Sequence, residues 1–295
     1  MTAQRGWTLH EMLISLGVMS AMVALAVHVA VGQLRFFRGT GEIVSVREQL
    51  GHATEIAASV LWAVSPSSGD LLVASDSALE VRSLIGTAVT CAAGSGQVTV
   101  AAPTTEDGNT LAAFFDVPDA DDQISAFLED TTAADGTWLT LHVAAAPVAG
   151  GCTTFGSTSG AWMFPLREQL PVPAGTALRF LRPLRLSLYR ASDGRWYMGA
   201  RDWNGASQRF NTIQPVAGPL QPYSPGADSG LRFSYFDATG GELAAPVAQT
   251  TQIASVRIVA RGLSVRPVRV PGIGTVSADA FADSAAVTIA LRNAQ

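Results

Sequence analysis

The chain has no lysine: its 19 basic side chains other than histidine are all arginine. That absence excludes a P-loop lysine, a Schiff-base lysine and the strand lysine of a kinase. Cysteine is almost as scarce, with only Cys91 and Cys152 present and no CxxC pair. The four histidines, His10, His28, His52 and His142, share no metal-ligand spacing. His10-Glu11 begins like a zinc-protease HExxH, but Ile14 stands where the second histidine is needed. Gly156-Ser157-Thr158-Ser159-Gly160 puts Thr158 where a nucleophile elbow needs serine. Gly94-Ser95-Gly96 and Gly272-Ile273-Gly274 lack the third glycine of a dinucleotide loop and read as turns. A formal net charge of -5 argues against a general nucleic-acid coat. These absences lead us to expect no catalytic residue, no cofactor and no metal, and to read the chain as a non-enzyme.

What the chain does have is a long hydrophobic run at its start. From Met12 to Leu34 nearly every residue is apolar, interrupted mainly by Ser15, Gly17, Ser20, Gly32 and His28. At 1.5 Å per residue this helix can cross a hydrocarbon core of about 30 Å. Glu11 sits at the head of the run. An acidic residue inside a membrane segment costs on the order of 3 kcal/mol and is by default a functional signal. A cut between Gly6 and Trp7 would create an α-amino group four residues upstream of that carboxylate. In low dielectric an ammonium and a carboxylate attract strongly, and either one alone is costly. One straight helix brings the two together poorly; two helices staggered along their axes bring them together well. This geometry predicts a subunit that docks on its neighbour's N-terminus.

Gly6-Trp7-Thr8-Leu9-His10-Glu11-Met12-Leu13-Ile14 resembles the prepilin signal, in which a short polar leader ends in glycine before Thr-Leu and a glutamate. The resemblance implies cleavage after Gly6 by a prepilin peptidase, N-methylation of Trp7, and a subunit-docking role for Glu11. Trp7 replaces the family's commoner phenylalanine, and His10 replaces an apolar residue. Two plainer readings compete: a secretory signal cut after Ala24 or Ala26, and an uncleaved signal anchor. Neither accounts for Glu11. Flanking charge does not orient the span, because Arg5 precedes it and Arg35 and Arg38 follow it.

Past an interfacial collar, Arg35-Phe36-Phe37-Arg38, the glycines of Gly39-Thr40-Gly41 loosen the helix without ending it. Ile43, Val46, Leu50, Ala53, Ala57, Val60, Leu61 and Val64 then recur at three- and four-residue spacing, an apolar stripe laid against a soluble domain. Ser65-Pro66-Ser67-Ser68-Gly69 stops it. The remainder reads as strands: 70–74, 79–84, 97–101, 137–146, a hairpin of 178–190 and 195–201 around Asp193-Gly194, then 231–237, 253–259 and 286–291. No sustained second helix is expected. The predicted fold is α+β and pilin-like: a long N-terminal helix, transmembrane then amphipathic, packed on a mostly antiparallel β head. The divisions are a leader over 1–6, a membrane or filament-core helix over 7–34, its amphipathic continuation over 35–65, and an extracytoplasmic head over 66–295.

The hairpin, Pro215 to Leu220, the strand-turn near Asp237 and Val256-Arg257-Ile258-Val259 are similar in layout to PilW-type minor pilins. They are similar also to GspJ-like minor pseudopilins of type II secretion. The family's usual proline in the membrane helix is absent, with His28 in its place. The resemblance implies a minor subunit of a type IV pilus, at its tip or in the priming complex, the alternatives being a minor pseudopilin of type II secretion or a pilus-tip adhesin or DNA-binding subunit. Its partners would be other pilins or pseudopilins, the prepilin peptidase, an inner-membrane assembly platform and the lipid bilayer. Its location would be the bacterial inner membrane, single-pass with the head outside the cytoplasm, then the filament.

In an exported head, Cys91 and Cys152 most simply form one disulfide; two buried free thiols are the alternative. Asp116, Asp119, Asp121 and Asp122 form an acidic loop, with calcium binding weighed against simple solvation and solvation preferred. Arg179, Arg182, Arg185, Arg190, Arg195 and Arg201 crowd the hairpin among Trp196, Tyr197 and Trp203. Such interleaving can bind single-stranded nucleic acid. The preferred reading leaves Arg185 and Arg195 as outward positions of alternating strands, with Leu184, Leu186 and Leu188 inward.

Overall fold

A computed structural model describes residues 8–94, 96–103, 110–128, 137–155, 160–226, 228–268 and 280–292. The chain begins with one helix, α1 (Leu9–Leu61), of 53 residues. At 1.5 Å per residue it is about 80 Å long. There follow β1 (Leu71–Ala74), β2 (Ala78–Gly94), β3 (Gln97–Val100), β4 (Ala112–Phe114) and β5 (Gln123–Leu128). Next come β6 (Thr137–His142), β7 (Val148–Gly150), β8 (Ala161–Pro165), β9 (Ala177–Arg190) and β10 (Trp196–Asn204). The last are β11 (Arg209–Phe210), β12 (Gln214–Leu220), β13 (Leu231–Phe236), β14 (Glu242–Leu243), β15 (Ser255–Pro267) and β16 (Ala280–Ala290). Among the described residues the other helical pieces are two single 3-10 turns. This is an α+β chain: one long apolar N-terminal helix and a large antiparallel sheet.

Two compact units divide the chain. The first comprises Met1–Glu48 and Leu263–Asp283. In it every described residue from Thr8 to Arg38 is exposed, while Gly39, Ile43 and Val46 are buried. Side chains stitch the helix to the strand ends: Glu42 Oε2 accepts the N–H groups of Val265 at 3.1 Å and Arg266 at 3.3 Å. Arg47 Nε donates to Asp283 Oδ2 at 3.0 Å. The helix runs through Gly39-Thr40-Gly41 without interruption, because a backbone lacking a Cβ weakens a helix by only about 1 kcal/mol per glycine.

The second unit comprises Gln49–Gly262 and Ser284–Gln295. Leu50, Ala53, Ala57, Leu61 and Val64 are buried, so the sequence's apolar stripe is a buried face; Val60, at its margin, is half-buried. The opposite faces carry Glu55 in solvent and Gln49, whose Oε1 accepts the Gly218 N–H at 3.1 Å. Strand order is β14-β13-β15-β12-β10-β9-β2-β3-β8-β7, with β5 and β6 continuing from β9. The axis of the sheet is the pair β2–β9, in register from Ala78↔Ser187 to Val89↔Ala177 with one irregularity between Leu84 and Gly86.

β2 is far longer than its hydrophobic run, because Gly86, Thr87 and Ala88 extend the ladder with small side chains. Gly86 makes room for an aromatic: a Cβ there would sit 2.3 Å from the Phe114 ring. Phe114, Trp162, Phe164 and Phe180 stack at centroid distances of 4.9 to 6.2 Å. Around them close Ile124, Leu141, Val98 and Leu178, forming one core between the β2–β9–β5–β6 strands and the β3–β8 pair. The β9–β10 hairpin turns through Ala191 to Arg195, with Gly194 at φ 81°, as an Asp-Gly turn requires.

Candidate functional site

The N-terminal end of α1 is built by local chemistry. Thr8 caps α1: its N–H donates to Glu11 Oε2 at 2.9 Å, and its hydroxyl donates to the same oxygen at 3.0 Å. Thr8-Leu9-His10-Glu11 is thus a capping box, the S/T-x-x-E pattern in which the fourth residue's carboxylate reaches back to the first residue's N–H. This role for Glu11 was readable from the sequence and is separate from docking. Past the cap, Leu9, Met12, Leu13, Ile14, Leu16, Met19, Met22 and Leu25 are all at least 59% exposed, so none of the described residues covers them. The helix is long and apolar enough to cross a membrane. Gly6 and Trp7, the expected cleavage and methylation positions, lie outside the described residues.

Cys91 on β2 and Cys152 are joined as a disulfide with Cα atoms 5.7 Å apart. Both are buried in a small cluster with Ala101 and Ala161, against Leu111 and Phe155. The Thr154 hydroxyl donates to the Cys91 carbonyl at 3.2 Å. Of the loop expected beside Cys152, residues 156–159 lie outside the described residues, as does Gly272-Ile273-Gly274.

The acidic loop is a correction. Solvation is expected of the whole loop and holds for the exposed Asp116 and Asp119, but Asp122 is buried and held by Arg182 of β9, which also takes Asp116 and the Val117 carbonyl. Asp122 Oδ2 further accepts the Asp119 N–H at 2.8 Å, and Asp121 pairs with Arg167. The guanidinium therefore occupies the place a cation would take. No group of three or more metal-ligating side chains occurs among the described residues. Ion pairing with Asp122 and Asp116 drives the Arg182 pKa further above its ordinary value, despite burial.

The hairpin arginines are largely committed to the protein itself. Arg179 donates to the Ala63 carbonyl at 2.7 Å and lies 3.5 Å from Asp70, a buried carboxylate that also accepts the Ser65 N–H. Burial pushes the Asp70 carboxyl up, against those donors. Arg190 donates to the Gly194 carbonyl and Arg195 lies 3.8 Å from Asp193. Leu186 is buried, whereas Leu184 and Leu188 are half-buried. His10, His28 and His52 are exposed on α1, and His142 meets Glu168.

Fold and site together define a class: an α+β protein with a disulfide-bonded β-sheet and an N-terminal helix compatible with single-pass membrane anchoring. Comparison of the chain with protein-family models, curated proteins and solved structures returns no match.

Proposed function

We propose that this chain is an assembly subunit of the type IV prepilin family, a PilW-type minor pilin or a related minor pseudopilin. The observation that carries the reading is an exposed apolar helix with one carboxylate, Glu11, at its start. An uncovered hydrophobic rod requires lipid or other helices around it. A carboxylate at its head suits a partner that supplies positive charge. Cleavage after Gly6 frees the amine of Trp7, which is then methylated. Among the described residues both Thr8 bonds end on Glu11 Oε2, which leaves Oε1 to accept from a neighbouring subunit's amine. The subunit waits in the inner membrane and then enters the filament core. The buried disulfide supports an oxidising compartment for the sheet, outside the cytoplasm.

The test separates docking from capping. Glu11→Gln keeps an amide oxygen for the capping box but removes the charge. The expected outcome is a folded, membrane-inserted protein that no longer enters filaments, as with Glu11→Ala. Normal incorporation of Glu11→Gln contradicts the docking role.

A further inference from the structure

Three strands place Glu80, Arg185 and Arg201 in one row: Glu80 of β2 opposes Arg185 of β9, and Arg185 opposes Arg201 of β10. Residues directly opposite on antiparallel strands project from the same face with Cβ atoms about 5 Å apart, and like charges there repel. Glu80 relieves only part of this, at 3.9 Å from Arg185. No carboxylate among the described residues lies within 4 Å of Arg201, which rests instead over the Phe210 ring at 5.1 Å. Phe210 is in turn held edge-on by Trp203, with centroids 5.3 Å apart.

The Nε atoms of both Arg185 and Arg201 are buried and, among the described residues, have no hydrogen-bond acceptor. A buried N–H left without an acceptor is costly, and a bound water or ion is one of the explanations a native structure can have for it. Here two occur on residues that stand directly opposite each other on neighbouring strands. Arg182, Arg179 and Arg190, by contrast, have acceptors within the protein. A guanidinium offers a planar fork of donors matched to the oxygens of phosphate and carboxylate.

We propose that the Arg185–Arg201 pair, on its Phe210 platform, is a binding site for a phosphate-class oxyanion, free or on a phospholipid headgroup. The anion accepts from both guanidinium groups, neutralises the like-charge pair and competes with Glu80 for Arg185. This site is independent of the assembly role.

The test follows thermal unfolding of the full chain in neutral detergent, with phosphate against chloride at matched ionic strength. Phosphate is expected to raise the midpoint in a concentration-dependent way, because a ligand bound only by the folded state stabilises it. Arg201→Gln and Arg185→Gln each weaken phosphate affinity about tenfold. Arg257→Gln, at an exposed position of β15, leaves the response unchanged. Glu80→Gln, which removes the competing carboxylate, tightens binding about threefold and carries the test if the arginine variants fail to fold. A parallel arm adds phosphatidylglycerol or phosphatidylcholine to the micelles; a response to the anionic lipid without one to free phosphate assigns the headgroup as the source. Equal midpoints in phosphate and chloride with no lipid response, or an undiminished response in Arg201→Gln, overturns the proposal.

Discussion

Arg182 grips Asp122 with one edge of its guanidinium: Nε donates to Oδ1 at 2.9 Å, and Nη2 donates to Oδ2 at 2.7 Å. The carboxylate is only 2% exposed and the arginine side chain 10%. Asp122 lies immediately before β5, so the pair fastens the start of that strand to the middle of β9. Removing one member of a buried ion pair strands the other charge, at about 3–5 kcal/mol. Asp122→Ala is therefore expected to lower unfolding stability by about that amount. Adding Arg182→Met to Asp122→Ala should recover part of the loss. Urea unfolding of the two variants in detergent measures both, and equal stability of wild type and Asp122→Ala would rule out this role.

The Cys91–Cys152 bond closes a separation of 61 residues. Loop-closure entropy for such a span is about 4 kcal/mol. Cys91→Ala/Cys152→Ala should lose stability of that order, with the urea midpoint shifted well down. An unchanged midpoint would show that the bridge constrains little in the unfolded chain.

Glu168 ties the edge of β6. Burial pushes its carboxyl up, but the His142 N–H at 2.7 Å and the His142 ring at 2.7 Å pull it further down, so it ends below its ordinary value. A carboxylate depressed in the folded state contributes stability above its unfolded value, here near 4.5. That contribution fades as pH falls through the lower folded value. The stability difference between wild type and Glu168→Gln should thus shrink as pH falls from the unfolded value near 4.5 through the lower folded value. A difference that grows on acidification would reverse the sign.

The helix was legible because its periodicity is carried by strongly apolar residues, from Ile43 through Leu61. The hairpin was legible because Asp193-Gly194 separates two alternating runs. β5 was not: Gln123-Ile124-Ser125-Ala126 is buried throughout, so it shows no alternation, and it follows an acidic stretch that reads as loop. β8 was missed for a related reason, its Trp162 and Phe164 serving an aromatic core assembled from distant strands. Arg182 shares the alternating parity of Leu184 and Leu186, which hinted that it points inward, but nothing local named its partner 60 residues earlier. The capping box was present in Thr8-Leu9-His10-Glu11 and needed only local spacing to be read. The bare Nε atoms of Arg185 and Arg201 could not be foreseen, because they depend on strand register.

The mass of the N-terminal peptide, taken from protein in its native envelope, tests the assembly role most directly. A polypeptide that starts at Trp7 with a methylated amine is the predicted result. One that starts at Met1, or inside the alanine-containing stretch from Ala21 to Ala30, would contradict it.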